Sequence, residues 1–272
     1  MASYDIRPLQ LHILDILLGI DTVCKKHNLR YYIMAGTMLG AIRHKGFIPW
    51  DDDIDIGMPR KDYDLLIKNA KEWLPAPYEM VCGENDKSYP LPFAKIQDSN
   101  TTLIERIGLK YLGGVYIDVF PLDGVPDNKM AQRVHFAKYF IYKKILYLTF
   151  RDPYKHGKGI SSWMPLLCRK VFKTHKIQRS IRNILTKYDF DKQVLIADYD
   201  DGSRGVMNKE ILGNPTPVLF EGKEIMGVER YDIYLKQKYG NYMEIPKSGQ
   251  QRQHNFYFLD LKTPYRDYPD HQ

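Results

Sequence analysis

Asp51, Asp52, Asp53 and Asp55 place four carboxylates within five positions. Charges of one sign at that spacing repel unless solvent, a cation or a basic partner compensates. On an extended chain Asp51, Asp53 and Asp55 share one face, because side chains alternate with period two. Carboxylates converging on one face make a hard oxygen site of the kind that holds magnesium or manganese together with a substrate's phosphates. Two other readings compete, a solvated acidic turn and an EF-hand loop. The EF-hand fails on position: the sixth residue from Asp51 is Ile56 rather than Gly, and the twelfth is Asp62 rather than Glu. The acidic turn is weakened by Gly36-Thr37 upstream, since amides of a tight glycine turn can hold a phosphate while carboxylates hold its metal.

A third carboxylate is suggested by Asp118, inside the apolar run Val115 to Phe120. An unpaired charge there is costly to bury. A metal would supply the partner, and so would a salt bridge to Lys or Arg. Asp123, just past Pro121, suits a turn. Arg43, His44 and Lys45 precede Gly46, and a basic trio beside phosphate chemistry makes Arg43 and Lys45 substrate-binding candidates. Lys95 lies in a strand-like run, where a lysine usually faces water. His254 is a candidate acid or base. The other histidines show no metal-ligand spacing. The absence of G-x-S-x-G, H-E-x-x-H and P-loop motifs removes three enzyme classes.

These residues need elements to position them. Apolar side chains at helical spacing over residues 9–27 predict an amphipathic helix, followed by a short strand at 31–35. Gly36 ends that strand, and the glycine-bounded stretch to Arg43 can open a short helix. Ile54 and Ile56 alternate with aspartates as in a strand with one apolar face. Pro59 sits where the next helix starts. Further strands are expected at 78–82, 91–97, 102–105 and 115–120, helices at 163–188 and 228–239, and a helix stop at Gly240. Helices and strands without regular βαβ alternation indicate an α+β fold with a mixed sheet.

The hydrophobic fraction of 44% is that of a soluble globular chain, and 272 residues suffice for a real core. No secretory signal is visible at the start, and no apolar stretch approaches the ~20 residues that span a bilayer. Cys24, Cys82 and Cys168 lie far apart with no CxxC pair, so a reducing cytoplasm is expected rather than a disulfide framework or zinc site. Charge is segregated. Residues 138–187 hold 13 Lys or Arg against the single acid Asp152, and since the whole chain is +7 the remainder is −5. This basic, aromatic-rich stretch is expected to dock on an anionic membrane surface. It also leaves open a binding module without catalysis, for membrane or nucleic acid.

The stretch from Ala35 to Gly57, with Gly36-Thr37-Met38-Leu39-Gly40-Ala41-Ile42-Arg43 and Trp50-Asp51-Asp52-Asp53-Ile54-Asp55, resembles the signature of the LicD family, which includes phosphocholine transferases and is related to the fukutin-type transferases. The likeness continues through Lys95 to Asp98, Tyr239 to Met243, and Arg252 with His254, where Asn255 stands in place of the family's second His. It covers nearly the whole chain, as a single domain with a basic, mostly helical insertion at about 131–200. The resemblance implies a nucleotidyltransferase-like fold and a magnesium or manganese site on Asp53, Asp55 and Asp118. Substrate would be bound by Gly36, Thr37, Arg43, Lys45, Lys95, Arg252 and His254. It implies a CDP-alcohol donor, CDP-choline first, and a hydroxyl acceptor on a cell-surface glycan (lipopolysaccharide or teichoic acid) or its lipid-linked precursor. CMP would be released at the inner face of the membrane, with no role for nucleic acid. A true nucleotidyltransferase, which would release pyrophosphate, is the rival within enzymes.

Overall fold

The structure is a computed structural model that describes residues 5–105, 112–154, 158–251, 253–254 and 256–269, apart from the side chains of Ile160 and Ser161. Its central sheet uses β1 (Tyr32–Ile33), β2 (Asp55–Pro59), β3 (Tyr78–Val81), β4 (Ala94–Asp98), β6 (Tyr116–Val125), β7 (Leu195–Asp198) and β8 (Val206–Asn208). The strand β5 (Thr102–Ile104) stands apart and pairs with β11 (Phe258–Asp260), near the C-terminus. The main order is β1-β2-β6-β4-β3, and β7 joins β6 and β8. The β2–β6 pair is parallel and its neighbours are antiparallel, so the sheet is mixed and the expected α+β class holds.

Register decides what this sheet can do. Asp55 pairs with Asp118 across β2 and β6, and Asp118 pairs with Lys95 across β6 and β4. Residues opposite one another in a ladder carry their side chains on the same face. Asp55, Asp118 and Lys95 therefore form one row across three strands.

The helix α1 (Ile6–His27) starts where the Asp5 carboxylate accepts the Arg7 amide at 3.1 Å, and it ends at Asn28, in the left-handed region at φ 54°. Its stripe of Leu9, Ile13, Ile16, Leu17, Ile20 and Val23 is buried against β4 and β6. The short α2 (Ala35–His44) connects β1 to the aspartate loop. Pro59 caps α3 (Arg60–Trp73), which buries Tyr63, Leu66 and Ala70. Among the described residues, no helix is long and apolar enough to cross a membrane.

The basic stretch forms α4 (Lys129–Phe150), α5 (Ile160–Val171) and α6 (Thr174–Leu185). The single run expected over 163–188 is broken at Phe172 and Lys173, both extended. That break re-aims the chain so that Ile177, Ile181 and Leu185 join Phe136, Tyr139 and Leu146 of α4 in a second core. The helical segment ends at Leu185, short of residue 200, because β7 belongs to the central sheet. The rest comprises α7 (Lys209–Leu212), the hairpin β9 (Thr216–Phe220) and β10 (Lys223–Gly227), and α8 (Tyr231–Tyr239), which stops at Gly240 with φ 66°.

Asp123 does not serve a turn. It lies within β6, buried, with its carboxylate accepting from Arg60 Nε at 2.8 Å and Nη2 at 2.5 Å. Removing one partner of such a pair leaves a buried charge uncompensated. Asp123→Ala is expected to cost about 3–5 kcal/mol in urea unfolding. Asp123→Leu combined with Arg60→Met is expected to recover most of that loss. Equal destabilisation by single and double variants would contradict this.

Candidate active site

Three local features bring the aspartates together. The hydroxyl of Thr37 accepts the Asp55 amide at 2.9 Å, tying the first turn of α2 to the start of β2. Gly36 packs on the aspartate loop: a Cβ there would stand 2.9 Å from Asp51 Oδ2, so a larger residue would push that carboxylate aside. Gln10 of α1 donates to the Asp51 carbonyl at 2.9 Å and fixes the loop from below. Strand geometry begins only at Asp55, not at Asp53. Even so, Asp51, Asp53 and Asp55 line one cleft of about 380 Å³ with Ala35 and Gly36. Gly36 and Thr37 thus sit in the first turn of a helix rather than in a free turn, where amides lack intrahelical partners.

Burial drives the electrostatics. It pushes the Asp51 and Asp55 carboxyls well above the usual range, and the charge of Asp53 adds to both. Asp53 is raised by burial against the opposing pull of His254. Burial carries Asp118 up to about 7 despite Lys95, and Asp198 at the end of β7 up to about 6 despite Lys238.

The compensating cations are specific. Lys95, 1% exposed, pairs with Glu105, lies 3.2 Å from the Tyr116 ring centroid and reaches within 3.8 Å of Asp118 Oδ1. That oxygen is buried and has no hydrogen-bond partner. His254 donates its amide to Asp52 Oδ2 at 3.0 Å, and its Nδ1 bonds Asp52 Oδ1 at 2.7 Å. Nε2 lies 3.6 Å from Asp53, and the Asp52 bond carries the imidazole up to about 9. Asp52, 2% exposed, therefore anchors the C-terminal segment to the cluster. Across the cleft stand Lys238, paired with Asp201, together with Arg204 and Tyr239.

Not every expected residue meets this cleft. The Arg43 guanidinium donates to the carbonyls of Tyr242 at 2.9 Å and Glu244 at 3.1 Å. Lys45 closes α2 at φ 59°, and its carbonyl accepts the Glu221 amide. Both hold loops together, and neither lines the cleft. Arg252 lies outside the described residues. Glu105, Asp198, Asp201, Arg204 and Lys238 belong to the neighbourhood without having been singled out. The cluster Asp198, Asp200 and Asp201 was the one signal that could have drawn attention to that wall.

The donor set suits a hard divalent cation in chemistry: carboxylate oxygens, held above their usual range, with one orphaned buried oxygen on Asp118. It is not a closed cage, for among the described residues no three His, Cys, Asp or Glu side chains are arranged to hold an ion. Magnesium commonly takes one or two carboxylates and leaves the other positions to phosphates and water.

Residues 28–147 match the LicD/FKTN/FKRP nucleotidyltransferase domain. The chain is 28% identical over 279 residues to the lipopolysaccharide cholinephosphotransferase LicD of Haemophilus influenzae, covering 94% of this chain and 97% of that protein. Uncharacterized proteins of Rickettsia prowazekii and Rickettsia typhi are each 42% identical over 52 residues, 19% of this chain and 20% and 17% of theirs. The matched segment runs from β1 through Asp118 into α4, and so contains the aspartate loop, the carboxylate row and Lys95. Over residues 28–147 the chain is therefore similar to the LicD/FKTN/FKRP nucleotidyltransferase domain, and along nearly its whole length to a cholinephosphotransferase.

Proposed function

We propose that this chain transfers a phospho-alcohol group to a hydroxyl of a cell-surface glycan or its lipid-linked precursor, with phosphocholine from CDP-choline as the first candidate. The observation that carries this reading is the row of Asp55, Asp118 and Lys95, beside Asp53 on a cleft whose far wall bears Lys238 and Arg204. The name of the Haemophilus relative supports the choice of phosphocholine and of lipopolysaccharide as acceptor.

The cleft's two walls suit the two ends of the reaction. Lys238 and Arg204 offer positive charge to the donor's diphosphate. First-turn amides at Gly36 add fixed donors on the opposite side. Asp53, Asp55 and Asp118 are the residues that would hold a magnesium or manganese ion, one or two of them at a time with the donor's phosphates as further ligands. Such an ion would supply charge neutralisation for the leaving CMP. Asp118, held near 7, is the carboxyl suited to take the acceptor hydroxyl's proton as the new O–P bond forms and the bond to CMP breaks. Lys95 positions Asp118 in this reading rather than binding substrate. His254 neutralises Asp52 and Asp53 and holds the C-terminal segment against them. The three cysteines, free and buried, suit a reducing compartment such as the cytoplasmic side of a membrane.

The test is the mass of the product. A gain of one phosphocholine with release of CMP is expected. A nucleotide left on the acceptor with release of pyrophosphate would contradict the reading and assign a true nucleotidyltransferase. Donor selectivity gives a second check: CMP is expected to compete with CDP-choline far better than UMP, AMP or GMP. Equal competition by all four would reject a cytidine preference.

A further inference from the structure

The helix α5 reverses the usual arrangement of a surface helix. Its protein-facing positions are Ser162, Pro165 and Cys168, all buried. Its outward positions are Trp163, Met164, Leu166, Leu167 and Val171, with Trp163 53% and Val171 60% exposed. Lys170 follows Trp163, Leu166 and Leu167 at helical spacing and shares that outward face. A globular chain normally turns such a stripe to its core, and a contiguous exposed apolar face marks an interaction surface.

Charge around the helix narrows the partner. Lys158, Lys170, Lys173, Lys176 and Arg179 are exposed, and within the described residues none of them makes an ion pair. An apolar stripe rimmed by unpaired cations matches the interface of an anionic bilayer, with hydrocarbon for the Trp and Leu side chains and lipid phosphates for the lysines. A second copy of the chain fits poorly, because pairing two such faces would bring like charges together.

The face also has a fixed relation to the cleft. Arg169 of α5 donates to the carbonyls of Thr149, Phe150 and Arg151 at 3.1, 3.2 and 2.8 Å and so locks α5 to the end of α4. Phe140 of α4 abuts Gly202, where an added Cβ would lie 2.6 Å from the ring. Gly202 adjoins Asp201 on the cleft wall.

We infer that α5 is an interfacial anchor: Trp163, Met164, Leu166, Leu167 and Val171 insert into an anionic membrane surface while the surrounding lysines hold lipid phosphates. The docking stands on α5 alone. Only the consequence that it brings the cleft to a lipid-linked acceptor rests on the transferase reading.

The test uses the full chain with phosphatidylcholine vesicles, with and without phosphatidylglycerol. Wild type is expected to co-sediment with the phosphatidylglycerol vesicles, less so at high salt, and its tryptophan emission is expected to shift to the blue. Leu166→Glu with Leu167→Glu is expected to weaken this binding about tenfold or more, with an unchanged melting temperature, since both side chains are exposed. Trp163→Phe is expected to keep binding and lose the blue shift. Asp53→Asn is expected to bind vesicles like wild type, which separates docking from catalysis. The inference is overturned if wild type fails to bind or if the double glutamate variant binds equally. A dimer in solution that the glutamates dissociate would assign the face to a second copy instead.

Discussion

Asp53→Asn and Asp55→Asn are each expected to lower phosphotransfer by ~10³-fold or more while leaving the fold intact. Asparagine keeps the size of aspartate and removes the charge that a cation or a developing transition state requires. The metal-free variants are also expected to melt higher than wild type. Asp51, Asp53 and Asp55 are half-buried together, and the charge of Asp53 raises both Asp51 and Asp55 while that of Asp51 adds to Asp55, so removing one charge relieves repulsion. Turnover against magnesium concentration, with a melting curve for each variant, checks both halves. Loss of activity with loss of fold would return these residues to a structural role.

The second large effect separates Asp118 from Lys95, which are neighbours in register with opposite duties. Asp118→Asn is expected to lose ~10²- to 10³-fold in turnover with little loss of stability, because Lys95 keeps Glu105 as its partner. Lys95→Met is expected to destabilise the protein by about 3–5 kcal/mol, since it leaves carboxylates uncompensated in a buried site. Acidity gives an independent readout. Asp118 is raised from the usual carboxylate range to about 7, so the folded state binds its proton more tightly than the unfolded chain. Its contribution is therefore most favourable below the unfolded pKa of ~3.9 and declines as pH rises toward 7. In chelator, the stability of Asp118→Asn relative to wild type is expected to increase between pH 5 and pH 8. A difference independent of pH would show that the carboxyl is not raised.

Much of this site is visible in residue order because its determinants are local. The helix before β1, the glycine at Gly36 and the alternation of Asp51, Asp53 and Asp55 follow from spacing alone. The class of sheet was also legible, since helices and strands follow one another without regular βαβ alternation. Strand order was not. Asp118 meets Asp55 because β6 lies parallel beside β2, and Lys95 meets Asp118 because β4 lies on the opposite edge of β6. Nothing in the sequence around residue 95 states that pairing. A strand lysine reads as solvent-facing, and here Glu105 and the Tyr116 ring make its burial tolerable. Asp123 was misread for a related reason, since its partner Arg60 is 63 positions away. Arg43 and Lys45 lie near the aspartates in sequence, yet the left-handed end of α2 takes them to the 221 and 242–244 loops instead. The segregated charge at 138–187 was plain, but which helix turns its apolar face outward emerged only from packing against α4.

The central claim is that the half-buried carboxylates of the cleft handle a CDP-alcohol together with a divalent cation. Thermal denaturation of wild type and Asp53→Asn tests it most directly, with CDP-choline and magnesium present singly and together, because a ligand that binds the native state raises its melting temperature whatever the acceptor. The account predicts a clear upward shift for wild type only when both are present, and none for Asp53→Asn. An equal shift in the two proteins, or a wild-type shift with CDP-choline that ignores magnesium, would contradict it.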